Sequence, residues 1–548
     1  MLLLKIKKIF IILSTLCLCM ICISCKDNSI EIVIDNDKVD NCILAIAELE
    51  DVTDVNLLKN KDNILQAYDL YNDLNADEKE KVNNYSILDD LYNRLSEKLS
   101  KQKEVDDNAK GHFEEIKKDL KEKIGDYVIS DIELPILYKY DDGDVTLSWK
   151  SSNPNIISQK GVVIPAYNGT NVTLSCKMYY QNVSNEFELE VYVPEAPFTI
   201  LKSNKCIAYI YTTFLNSSKG LSAEEIKTID VINMSFAYIT ENYSIDLTGM
   251  YSNLDRVLRY KQNGIRVMFS LRGGRSNDKL FSMACCDKQT RKKLIDNIVN
   301  AVIDYNFDGV DIDWEYPGFY YGDAWENKIT LNDDRNNYTA FIQELYQALK
   351  SKNSKYLLTA AIPGGESCSR FDLKNIASFL DYVNVMTYDL NISTVATHHT
   401  ALYSSNYASA INNGSAALKK FEEGGFKKEN IILGAAFYGK KYIISNQNEL
   451  KLGVKSEECT TILFSEIYNT YILNKKEGAE LLYDEVAHAP YIIDTEARAI
   501  ITYDSYDSIV DKCNYVLKNG YGGIMFWNYS EDNSGLLMKA LYDGLKKK

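Results

Sequence analysis

The residues with the most evident chemistry lie between Asn306 and Gly318, in the stretch N-F-D-G-V-D-I-D-W-E-Y-P-G. Asp311, Asp313 and Glu315 recur at a period of two, and Val310, Ile312 and Trp314 fill the positions between them. On a strand, that spacing puts three carboxylates on one face and three apolar side chains on the other. Such alternation usually marks an amphipathic strand with its acidic face in water. The neighbouring segments argue otherwise. Helical patterns run over Gln289–Asp304 and Asp333–Lys352, so the stretch reads as a parallel strand covered on both faces. Three carboxylates on a covered face repel one another and lose solvation, which raises their pKa values. That pattern belongs to an active site more often than to a structural strand.

The elements that must position these groups begin at Lys205, where apolar strands start to alternate with helices, as a (β/α)8 barrel requires. Eight strands are expected: Cys206–Tyr211, Val231–Tyr238, Arg266–Leu271, Gly309–Trp314, Tyr356–Ile362, Tyr382–Thr387, Ile431–Phe437 and Gly523–Trp527. The barrel domain is placed at residues 204–545, with an insertion at about 440–503 between the last two strands. Barrel active sites form at the carboxyl ends of the strands. Tyr388 and Trp527 fall at such ends, whereas Phe236 and Phe437 read as barrel core.

The remaining sequence sets limits on function. A length of 548 residues accommodates several domains. The net charge of −16 excludes nucleic acid as an expected partner, since an anionic polymer would not attract this chain. The four histidines (His112, His398, His399, His488) have no metal-ligand spacing, so no zinc site is expected. Eight cysteines beyond residue 25 are scattered without C-x-x-C pairs and predict neither a disulfide framework nor a metal cluster.

At the N-terminus, Lys5, Lys7 and Lys8 precede the apolar run Ile9–Ile23, which ends in Ser24-Cys25. This reads as a signal peptide over residues 1–25. Cys22-Ile23-Ser24-Cys25 resembles a bacterial lipobox, which implies lipidation of Cys25 and a cell-surface lipoprotein, with plain secretion or an uncleaved anchor as the alternatives. Residues 26–40 are polar and suited to a tether. Helical periodicity covers 41–124, as a module resembling those of bacterial surface proteins followed by a charged stalk. At Gly125 the period changes. Ile129–Leu134, Val145–Trp149, Val162–Ile164, Val172–Met178 and Phe187–Val193 are expected strands of a domain over 125–195 resembling bacterial immunoglobulin-like sandwiches.

D-G-V-D-I-D-W-E-Y-P resembles the D-x-x-D-x-D-x-E signature of the family-18 glycoside hydrolases, in its chitinase form, with Asp308, Asp311, Asp313 and Glu315 in the four acidic positions. The resemblance recurs in register at other strand ends. V-N-V-M-T-Y-D places Met386, Tyr388 and Asp389 in the site. L-G-A-A-F-Y-G-K contributes Tyr438, G-G-I-M-F-W makes Trp527 the hydrophobic floor, and A-Y-I contributes Tyr209. One chitinase subgroup carries a small α+β domain in the gap before the last strand, which F-S-E-I, A-P-Y-I-I and I-T-Y-D-S-Y-D-S-I resemble. Two positions depart from the family pattern. S-x-G-G-W appears as Ser270-Leu271-Arg272-Gly273-Gly274-Arg275, one residue longer and without its Trp. Lys440 replaces an Arg whose planar fork it cannot reproduce.

The resemblance implies substrate-assisted, retaining hydrolysis of β-1,4-linked N-acetylglucosamine without a cofactor. Glu315 is the implied acid, and Asp313 orients the acetamido group. Tyr388 holds its carbonyl oxygen, and Asp311 shares a proton with Asp313. Trp527, Asp389, Met386, Tyr209 and Tyr438 are the implied substrate contacts. The expected partners are an N-acetylglucosamine-containing glycan and a membrane reached through the lipid anchor, with the chain as a monomer. Two alternatives stay open: an endo-β-N-acetylglucosaminidase acting on N-glycans or peptidoglycan, and a non-catalytic glycan-binding protein.

Overall fold

Continuous apolar runs fold as parallel strands here because helices cover one face and the barrel interior the other. The computed structural model describes residues 35–166, 168–197, 201, 204–211, 220–275, 278–319, 331–391 and 393–547. Eight strands, Lys205–Tyr211, Val231–Ile239, Arg266–Arg272, Gly309–Ile312, Leu357–Pro363, Tyr382–Met386, Ile431–Ala436 and Gly523–Trp527, lie parallel in chain order. Pairing of the first with both the second and the eighth closes the barrel. Most ends fall within a residue of the sequence reading. The fourth strand is the exception, leaving the ladder after Ile312, so Asp313 and Glu315 lie just beyond it.

Side-chain alternation survives past the end of that ladder. Val310, Ile312 and Trp314 join the layer between strands and helices, where Trp314 stacks on Phe281 with centroids 5.0 Å apart. Asp311 and Asp313 take the other side. Gly309 is required between Asp308 and this strand: its φ is +155°, and a Cβ there would stand 2.1 Å from the Leu357 carbonyl oxygen. Asp308 is structural. It is fully buried in an ion pair with Lys261 at 2.9 Å, and it accepts the Val267 N–H. The third and fourth strands are thereby fastened at their amino ends.

The segment between the seventh and eighth strands forms a five-stranded antiparallel sheet. Its order is Glu458–Leu463, Tyr438–Ile443, Ala499–Thr502, Ala489–Asp494, Ala479–Asp484, and a short helix lies at Phe464–Ile467. This is the α+β insertion, starting at Tyr438 and ending at Thr502.

The chain divides into two compact units, residues 1–112 and 113–548. The first holds helices Asn36–Ala47, Lys61–Asn72 and Ala76–Lys79 and most of the long helix Tyr85–Ile124. Helix starts at Asn36, inside the segment read as a tether, because Asp35 accepts the Lys38 N–H and Val39 is buried. The signal segment and Cys25 lie outside the described residues. Among the described residues, no helix is long and apolar enough to cross a membrane.

In the second unit, Leu137–Tyr138, Val145–Ser151, Thr170–Tyr180 and Val183–Val193 form one antiparallel sheet in chain order. Two expected strands are not in its ladder. Residues 129–134 run toward Pro135, which cannot donate a ladder hydrogen bond, and Ile132 N–H instead reaches the Gly161 carbonyl. Residues 162–164 make a single bridge to Ile157 and then turn into the barrel, where Ile164 joins the core. Around it, Asn306 Nδ2 donates to the Asn155 and Ile164 carbonyls, and Arg259 pairs with Asp131 at 3.2 Å. These contacts lie at the amino ends of the third and fourth barrel strands.

Candidate active site

At the carboxyl ends of the strands, the loops enclose a cleft of about 770 Å³. Asp313, Glu315, Tyr388, Asp389, Met386, Tyr209, Tyr438 and Trp527 all line it. Of the residues implied by the sequence, Asp311 alone does not reach the cleft. It lies one layer below and is fully buried.

Asp311 is held by four donors. Its Oδ2 accepts Tyr209 Oη at 2.8 Å and Ser270 Oγ at 2.9 Å. Its Oδ1 accepts Thr359 Oγ1 at 2.6 Å and Asn384 Nδ2 at 3.1 Å. Burial raises its pKa, and the four hydrogen bonds oppose that rise. Four strands thus converge on one carboxylate, which fixes the height of the fourth strand in the barrel.

Asp313 and Glu315 interact directly. Burial, then the charge of Glu315, pushes Asp313 well above the carboxylate range, while Arg272 opposes the rise. Burial also raises Glu315, again with Arg272 in opposition. The pair therefore titrates jointly and keeps a proton where an isolated carboxylate would have lost it. Asp313 Oδ1 is buried and accepts no hydrogen bond from the protein. Burial and the surrounding carboxyls also hold the Tyr388 and Tyr209 hydroxyls protonated.

The floor is aromatic. Trp527 is wedged among Tyr211, Phe236 and Tyr209, with centroids at 5.2, 5.3 and 5.7 Å. Phe236 was expected in the barrel core, yet it lines the cleft and stacks on Trp527 at an interplanar angle of 24°. The reason is a bulge: pairing of the second and third strands shifts between Ser235 and Ala237 and skips Phe236, which re-aims the side chain. Phe437 does belong to the core.

Asp389 sits at the rim with φ +54°, a backbone region that Asp tolerates better than most residues. Lys440 Nζ lies 3.1 Å from its Oδ1 and His399 Nδ1 3.4 Å. Burial works against ionisation, but His399 and Lys440 hold Asp389 below its ordinary pKa. Lys440 thus supplies charge to the site from the insertion, and it also donates to Thr461 Oγ1 at 3.1 Å. Sequence reasoning missed Arg272 and Asp278, which flank the carboxyl pair. Asp278 Oδ2 accepts the Glu315 N–H at 2.9 Å and Arg272 Nη2 at 3.1 Å.

A closed parallel barrel with paired, proton-retaining carboxyls and an aromatic floor at its carboxyl face has the build of a glycoside hydrolase. Among family models, that of the family-18 glycosyl hydrolases matches residues 205–532; the chain belongs to this family and carries its glycoside hydrolase domain. Chitinase A1 of Niallia circulans is 27% identical over 313 residues, which cover 53% of this chain and 44% of that protein. Endochitinase 1 of Metarhizium robertsii is 28% identical over 290 residues, covering 51% and 64%. The chain therefore matches about half to two thirds of the length of these relatives. A family-18 N-acetylglucosaminidase structure from Paenibacillus barengoltzii is 29% identical with a TM-score of 0.54, covering 62% of this chain and all of that one.

Proposed function

We propose that the barrel is an exported, chitinase-type hydrolase that cleaves β-1,4-linked N-acetylglucosamine chains with retention of configuration. The observation that carries this reading is the buried Asp313–Glu315 pair, facing an aromatic floor across a cleft of about 770 Å³. Glu315 protonates the glycosidic oxygen. The N-acetyl carbonyl of the sugar over Trp527 attacks its own C1, breaking the C1–O bond and giving an oxazolinium ion. Asp313, whose Oδ1 has no donor within the protein, takes the acetamido N–H and stabilises the cation. Tyr388 donates to the acetyl oxygen. Glu315, now ionised, then removes a proton from the water that reopens the ring at C1.

The relatives named chitinase and endochitinase support chitin-type chains as the substrate class. Retention of the acid Glu315 speaks against a purely glycan-binding role. Export rests on the basic and apolar N-terminal segment, and lipidation on Cys25. The helical residues 41–124 and the sheet domain at 125–195, which we take as immunoglobulin-like, serve as spacer and attachment modules. The test is hydrolysis of chitin oligosaccharides beside a high-mannose glycopeptide and peptidoglycan. Preferential release from the oligosaccharides supports the reading, and turnover of the glycopeptide alone would replace it with the N-glycan alternative.

A further inference from the structure

Arg272 ends the third strand, paired with Tyr238, and its surroundings give it a task. Its side chain lines the cleft with 29% of its area exposed. The guanidinium lies over the Phe236 ring at 5.3 Å. Its Nη2 donates to Asp278 Oδ2 at 3.1 Å, and its Nε lies 4.0 Å from Asp313 Oδ2. Among the described residues lining the cleft, Arg272 is the only cation; Lys440, behind them, is paired with Asp389.

Asp278 keeps it there. This carboxyl is fully buried, and its Oδ1 accepts the Gly273 N–H at 2.6 Å. Its Oδ2 takes both Arg272 and the backbone N–H of Glu315. One side chain therefore ties the third-strand loop, the guanidinium and the acid-bearing backbone together. The other groups facing the Asp313–Glu315 pair are Asp311 from below, Tyr316 from the same loop, Tyr388 just beyond the sixth strand, Tyr209 and Tyr211 from the first strand and Tyr338 from the helix after the fourth. All are acids or neutral hydroxyls. The pair and Asp278 thus place three carboxyls around one guanidinium.

We infer that Arg272, clamped by Asp278, is a positioning residue that acts as counter-ion to the Asp313–Glu315 pair and sets the charge the pair carries when substrate binds. The inference rests on the hydrolase reading above. A cation at this distance favours the ionised forms. With it, the pair gives up one of its two protons at a lower pH than it otherwise would. Without it, both protons are held to higher pH.

The experiment compares wild type with Arg272→Met, Arg272→Lys and Asp278→Asn. The pH profile of kcat/KM is measured on a fluorogenic chitobioside, alongside an infrared titration of the protonated carboxyl band, assigned by its loss in Asp313→Asn and Glu315→Gln. Arg272→Met should move both limbs of the profile, and the infrared midpoint, up by about 1–3 pH units, the usual effect of losing an opposite charge at 4–6 Å. Arg272→Lys should restore most of that shift, because the charge returns without the fork. Asp278→Asn, which frees the guanidinium from its clamp but also removes a negative charge beside the pair, should shift the midpoints less than Arg272→Met does. A loop that merely folds around Arg272 would lower rates in all three variants and leave the midpoints in place, and that result overturns the inference. The infrared midpoints decide the matter even if the chitobioside is not cut, an outcome that would count against the proposed substrate instead.

Discussion

Replacing Glu315 by Gln removes a proton donor and little else. The swap preserves side-chain shape, and the backbone N–H of residue 315 keeps its bond to Asp278 at 2.9 Å. An amide in that place can still donate to Asp313, so folding and oligosaccharide binding should persist. General acid catalysis contributes about 10²–10⁴-fold, or about 2.7–5.4 kcal/mol of barrier at 1.36 kcal/mol per tenfold. Asp389 at the rim is held as an anion by His399 and Lys440 and cannot stand in as a donor. The assay is initial rates on a chitin oligosaccharide and on an aryl glycoside whose phenol leaves without protonation. Loss should be at least a hundredfold on the first and much smaller on the second. Above about a hundredth of the wild-type rate on the oligosaccharide, or with equal losses on both substrates, Glu315 is not the acid.

Trp527→Ala should lower kcat/KM on oligosaccharides by about 10–100-fold by removing the sugar-stacking floor, with Trp527→Phe keeping most of the activity; an unchanged kcat/KM would take Trp527 out of the site. Burial raises Glu531 from 4.5 to about 7, with Asn528 and Lys440 opposing. Its folded pKa exceeds the unfolded one, so the stabilisation is complete below about pH 4.5 and is lost as pH rises through about 7. Tm should therefore fall between about pH 4.5 and 7, the span of that shift, less steeply in Glu531→Gln, and parallel slopes would refute the assignment. Removing residues 1–112 should leave specific activity on soluble oligosaccharides within a few-fold, since that segment is a separate compact unit. Cutting at residue 200 also removes Ile164 from the barrel core and Asn155 from Asn306. This second truncation should lower Tm, and an unchanged Tm would show that these contacts contribute nothing.

Which features could be read from sequence follows from what each depends on. The barrel strands were legible because a strand covered on both faces must be apolar throughout, and the acidic alternation of Asp311, Asp313 and Glu315 broke that rule visibly. The strand-end aromatics Tyr388 and Trp527 were placed by their positions at strand ends together with the motifs around them. Phe236 was not, because its aim depends on a bulge that period-two reasoning cannot register. Arg272 and Asp278 carry no periodicity, and their partnership is made by a loop closing back on the residue-315 backbone. The helix start at Asn36 was hidden in a polar segment, where a single Asp cap and one buried Val settle the matter. Residues 129–134 and 162–164 look like strands locally, but Ile132 bonds the Gly161 carbonyl, Val163 makes a single bridge and Ile164 packs into the barrel core.

In the proposed mechanism the substrate's own acetamido group, rather than an enzyme carboxylate, attacks C1. Asp311, Asp313 and Glu315 come from one short stretch, and Asp311 is sealed beneath the cleft by four donors. A double displacement would instead need its nucleophile and acid about 5–5.5 Å apart across the bond. The most direct measurement follows the anomeric configuration of the first-formed product by proton NMR, with intact-mass analysis of the enzyme during turnover. The account predicts the β-anomer first, no sugar ester on any carboxylate, and no cleavage next to a sugar whose C2 amine is free. An α-anomer as first product, or an ester trapped on Asp313 or Asp389, would contradict it.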